Sequence, residues 1–124
     1  MGLDMYILMD GDAIVDWRKS NQIHGWFVRR FPGFDNCSEV TITKEDMLSL
    51  LNDLMSCVNE IVCIGYADEV CKARLPTMNG CFFGELDYGD WYADYLFDSL
   101  QKVLHCIYMM SKHPNAEFIY TADW

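Results

Sequence analysis

The sequence predicts an α+β fold: a small antiparallel or mixed β-sheet with about three helices packed on one face. Three observations carry this expectation. β-rich segments stand near both ends of the chain, two long segments space their apolar residues as helices do, and Asp-Gly and Asn-Gly pairs mark tight turns. The 124 residues are read as a single domain over 1–124, long enough to bury one core without staples.

Leu3 to Met9 reads as a strand, Asp10-Gly11 as a two-residue hairpin turn, and Ala13-Ile14-Val15 as the returning strand. Asp16 is expected to cap a helix over residues 17–31, stopped by Pro32-Gly33. Within it Ile23, Phe27 and Phe31 make one apolar stripe, and Trp17, Asn21, His24 and Val28 a second. Thr43 to Glu60 is the clearest helix. Thr43 and Asp46 open it as a capping box, and Met47, Leu50, Leu51, Leu54 and Val58 form its apolar face. Between residues 63 and 75 a short helical turn is expected around Ala67–Lys72. Asn79-Gly80 predicts a hairpin joining Leu75–Met78 to Cys81–Phe83, with Pro76 confining its segment to a sheet edge. A last helix runs from Asp90, as N-cap, to Lys112, with Tyr92, Leu96, Leu100, Val103, Ile107 and Met110 facing inward. His113-Pro114-Asn115 stops it, and residues 117–121 form a final strand. The predicted order is β-β-α-α-β-β-α-β.

Composition narrows the function classes. Apolar residues make up 52% and the mean hydropathy is −0.02, which is globular rather than disordered. A formal net charge of −10 disfavours direct nucleic-acid binding, which calls for Lys and Arg clusters, and suits a basic partner surface. No apolar run approaches the ~20 residues that span a bilayer, and Met1 to Tyr6 show no signal-peptide pattern, so no membrane partner is expected. The six cysteines contain no Cys-x-x-Cys pair and are expected as free thiols, several of them buried.

Four blocks carry a family likeness. They are Met1-Gly2-Leu3-Asp4-Met5-Tyr6; Trp17-Arg18-Lys19-Ser20-Asn21-Gln22-Ile23-His24-Gly25-Trp26-Phe27; Leu75-Pro76-Thr77 with Gly80-Cys81-Phe82-Phe83-Gly84 and Tyr88; and Phe118-Ile119-Tyr120 through Trp124. Together they resemble a family of small uncharacterised phage and prophage proteins. Cys81 stands where that family usually has an aromatic residue, Gly89 where it usually has an acid, and residues 63–74 match nothing in it. The resemblance implies a phage accessory protein acting in the cytoplasm of the infected bacterial host. Such proteins are often antagonists of host defence, including anti-CRISPR inhibitors, some of them strongly acidic. The expected partner is therefore a host defence protein, with a Cas9-type nuclease the first choice for its basic channel.

Two constellations are candidate sites. Asp90, Asp94 and Asp98 recur every four residues on one helix face, interleaved with Trp91, Tyr95 and Phe97, as an acidic stripe with aromatic anchors for a basic protein groove. His24, with Asp4, Glu85 and Asp87, has the donor types for one zinc-like ion, Cys81 being a conceivable soft ligand. No phosphate loop, Gly-x-Ser-x-Gly elbow or His-Glu-x-x-His motif occurs. A binding protein is thus expected ahead of the alternative, a small metal-dependent enzyme centred on His24.

Overall fold

The computed structural model describes residues 2–124, so of the opening block only Met1 lies outside it. Strands β1 (Asp4–Met9) and β2 (Asp12–Arg18) form the first hairpin. Its turn residues Asp10 and Gly11 both take positive φ (49° and 91°), the backbone that two-residue hairpins need. Helix α1 (Asn21–Arg30), strand β3 (Glu39–Thr41), helices α2 (Lys44–Ile64), α3 (Glu69–Arg74) and α4 (Asp90–Lys112), and strand β4 (Phe118–Asp123) follow. Among the described residues the four strands make one antiparallel sheet in the order β2-β1-β4-β3. The fold is α+β, as the sequence predicts.

Side-chain alternation gives the sheet two unlike faces. Met5, Ile7, Val15, Trp17, Phe118, Tyr120 and Ala122 point into the core. Ile7 opposes Tyr120 and Met5 opposes Trp17, so these residues share one side, leaving Asp4, Tyr6, Asp16, Arg18 and Asp123 on the other. The helices cover the apolar face. The Phe27 ring of α1 stacks on Tyr120, and Trp17 Nε1 donates to Ser99 Oγ of α4 at 2.9 Å. Helix α2 packs along α4 and opens with the expected capping box. Thr43 Oγ1 accepts from the Asp46 amide (3.2 Å), and Asp46 accepts from the Thr43 amide (2.8 Å). By length and composition α2 is apolar enough to cross a membrane, longer and more apolar than the sequence reading allowed; only 22% of its most apolar window is buried.

Three expectations are corrected. Asp16 does not cap a helix: it opposes Tyr6 in the β1–β2 ladder, and Trp17 and Arg18 continue that strand. The helix starts after Ser20, so Trp17 leaves the stripe that Asn21, His24 and Val28 still share. The Asn79-Gly80 hairpin does not form. Residues 76–89 are an irregular loop whose backbone groups bond to the Asn21 side chain rather than to a ladder. Strand β3, only Glu39–Thr41, was not expected; it is short and mostly polar and rests on its pairing with β4.

Candidate functional site

The start of α4 is built on the 76–89 loop. Its N-cap is Gly89, so Asp90 sits in the first turn instead of capping it, still favourably placed against the helix dipole. Asp90, Asp94 and Asp98 are exposed on one side of the helix, and Asp98 pairs with Lys102 at 2.8 Å. Trp91 and Tyr95 are half-buried, with their rings edge-on and centroids 5.5 Å apart. Trp91 Nε1 donates to Asp87 Oδ1 (2.5 Å), which fixes the indole.

Beside these rings lies an open cleft of about 560 Å³ lined by Lys19, Gly84, Glu85, Leu86, Trp91 and Tyr95. Lys19 holds a left-handed backbone (φ 58°) and donates its amide to the Leu3 carbonyl at 2.7 Å. Gly84 passes so close that an added Cβ would stand 3.2 Å from the Lys19 carbonyl, and its φ of 97° suits glycine. Asn21, fully buried, ties the opposite side of the loop. Its amide donates to the Phe83 and Glu85 carbonyls (3.1 and 2.8 Å), and its oxygen accepts from the Met78 amide (3.0 Å). The loop backbone is thereby pinned to α1 while the Glu85 side chain borders the cleft. Sequence reasoning missed Lys19, Gly84 and Leu86. The signal for Lys19 was the polar–apolar alternation Val15-Asp16-Trp17-Arg18, which runs the strand up to it.

His24 is fully buried. Its Nδ1 shares a hydrogen bond with the Tyr120 hydroxyl (2.7 Å), and the rings of Phe34, Phe83 and Trp124 surround it, Trp124 at 4.7 Å. Burial among these rings lowers its pKa from 6.5 to about 4, so the imidazole is neutral at pH 7. Its Nε2 has no hydrogen-bond partner among the described residues. The other three expected ligands are elsewhere. Asp4 is on the far face of the sheet, paired with Arg18 at 3.1 Å. Glu85 lines the Trp91–Tyr95 cleft, and Asp87 is bonded to Trp91. Cys81 is exposed. Among the described residues no three His, Cys, Asp or Glu side chains are grouped as ligands of one ion.

At the start of α4, then, the structure joins an exposed acidic row to a cleft walled by aromatic rings. No family model, curated protein or solved structure matches this chain.

Proposed function

We propose that this chain is a binding protein, a phage-encoded inhibitor of a host defence effector, that docks a basic partner surface through the start of α4. The carrying observation is the juxtaposition of exposed Asp90, Asp94 and Asp98 with the half-buried Trp91 and Tyr95 of the cleft. Carboxylates on an exposed helix face steer a Lys- and Arg-rich groove into register. Aromatic rings already held in place then bury apolar area at little further entropic cost, which is how interface anchors contribute most of the affinity. The net charge of −10 acts in the same direction at longer range. The resemblance to phage proteins supports the choice of partner, a Cas nuclease of Cas9 type acting in the cytoplasm of the infected host. There the inhibitor would occupy the basic channel and block DNA loading or cleavage, with no nucleic-acid contact of its own.

The test is DNA cleavage by a Cas9-type nuclease of the natural host, with the protein added before the DNA. Cleavage is expected to fall, with neither component degraded. The triple variant Asp90→Lys, Asp94→Lys, Asp98→Lys is expected to lose that inhibition while keeping its circular dichroism spectrum. Unchanged cleavage at micromolar protein, with no binding to any defence nuclease of that host, would reject the proposal. The metal-dependent alternative has one observation on its side, the unpartnered Nε2 of His24. It calls for about one zinc-like ion per chain by elemental analysis, lost in His24→Ala.

A further inference from the structure

A second surface runs along α2 and α4. On α2, Arg30 and Trp26 of α1 bond to Asp46 and Asp53, so α1 covers that flank. Leu48, Met55 and Val62 recur at seven-residue steps on the opposite flank, and all three are exposed, Val62 at 69%. On α4, Ser99 and Lys102 bond to Trp17 and Asp16 of β2, while Phe97, Leu104 and Tyr108 stand exposed on the flank away from that strand. The two helices run antiparallel, since residues 42–44 at the start of α2 meet Met110 and Pro114 at the end of α4. They pack against each other between these flanks. The two exposed rows therefore border one seam, and half-buried Leu51, Val58, Leu100 and Ile107 fill the ground between them.

We infer that this seam is the interface of a two-fold homodimer. Three observations select a second copy as the occupant. The first is area. The six exposed side chains leave on the order of 600 Å² uncovered, at the upper end of the largest apolar patch on a typical monomer. With the polar rim, the face approaches the roughly 800 Å² per partner of a standard interface. The second is charge. The row positions Leu48, Met55, Val62, Phe97, Leu104 and Tyr108, and the Leu51, Val58, Leu100 and Ile107 between them, carry no charge, in a chain whose net charge is −10. Two such chains repel least when they meet on this face.

The third is symmetry. Lys44, with Glu45 beside it, and Lys112, whose ammonium lies over the Tyr108 ring, stand at one end of the seam. Asp90 and Asp94 precede Phe97 at the other. A two-fold axis across the seam sets each lysine end against an acidic end, so the patch is complementary to itself. A membrane surface is the poorer fit, because anionic headgroups repel a chain of this charge. Asp90 and Asp94 belong both to the docking row and to the acidic end of the seam, whereas the Trp91–Tyr95 cleft lies on another flank of α4. Met55 and Leu104 are outside the docking row, so loss of the dimer and loss of docking are read separately.

Sedimentation equilibrium of the full chain, over about 1–100 µM and at low and high salt, tests the inference. The expected species has twice the 14.4 kDa chain mass. Screening weakens both the repulsion between two acidic copies and the lysine–aspartate contacts at the ends of the seam, so the apolar seam should hold the dimer at low and at high salt. Met55→Glu and Leu104→Glu place exposed carboxylates in the seam; each should give a monomer with an unchanged circular dichroism spectrum, while Met55→Leu keeps the dimer. A monomer at every concentration, or a dimer that both glutamate variants preserve, overturns the inference. So does flotation of monomeric protein with zwitterionic phosphatidylcholine vesicles, which would assign the seam to a bilayer.

Discussion

His24 shows what a single buried side chain contributes to this molecule. Burial depresses its folded pKa to about 4, below the 6.5 of the unfolded chain. The unfolded state therefore takes up more protons between those values, and stability falls as pH drops from about 6.5 to about 4, by no more than about 3 kcal/mol. Above pH 6.5 the group contributes no pH dependence. Melting temperatures of wild type and His24→Gln across this range check the claim: the variant should lose the slope in that window. Glu60 acts in a different window. Desolvation pushes its carboxyl up, but hydrogen bonds from the Asp68, Val70 and Cys71 amides more than offset this and bring it down to about 2. Its contribution is present above its unfolded value and is lost as pH falls towards about 2. The cysteines give a further residue-scale prediction. Cys57, Cys71 and Cys106 are buried with thiols raised above their usual range, chiefly by burial, while Cys37, Cys63 and Cys81 are exposed. Thiol titration without reductant should find three fast groups in the native protein and all six after denaturation; a persistent shortfall of two would show a disulfide.

Among the elements, the 76–89 loop depends most on one contact set. Asn21→Ala removes three hydrogen bonds and leaves partly buried carbonyl and amide groups without partners, which should cost about 2–4 kcal/mol. Amide exchange should rise first in residues 78–85, with α2 and α4 still protected; uniform protection throughout would show that the loop holds itself. Helices α2 and α4 were legible because their faces repeat at 3.6-residue spacing and Thr43 and Asp46 cap the first of them. The hairpin at Asp10-Gly11 was legible from its turn chemistry. The boundary between β2 and α1 was not, because Asp16 is a good cap by type and only its pairing with Tyr6 makes it a strand residue. Asn79-Gly80 misled for a related reason: the turn signal is local, while the loop is held partly by Asn21, some sixty residues earlier, and partly by Thr77 bonding to Leu86 and Tyr88 across it. Asp90, Asp94, Asp98, Trp91 and Tyr95 were visible as helix neighbours. Lys19, Gly84 and Leu86 reach the cleft only through tertiary packing, which no spacing rule encodes.

At the scale of the whole molecule, the sheet separates two chemistries. One face carries Asp4, Arg18 and Asp123 beside Tyr6, Leu8 and Ile119, and the other carries a layer of helices. That layer has an acidic-aromatic flank at the start of α4 and a charge-free seam along α2 and α4. The two surfaces differ in their response to salt: docking through the aspartates should weaken with ionic strength, while self-association through the apolar seam should persist. Affinity measured against ionic strength tests the docking of a basic partner at the start of α4. Titrating a Cas9-type nuclease of the natural host from about 50 to about 300 mM salt, the wild type should lose affinity by roughly tenfold or more. Asp90→Asn, Asp94→Asn, Asp98→Asn should bind more weakly at low salt and show a clearly shallower dependence. Identical salt slopes for the wild type and this variant, or tight binding indifferent to salt, would rule out docking through these aspartates.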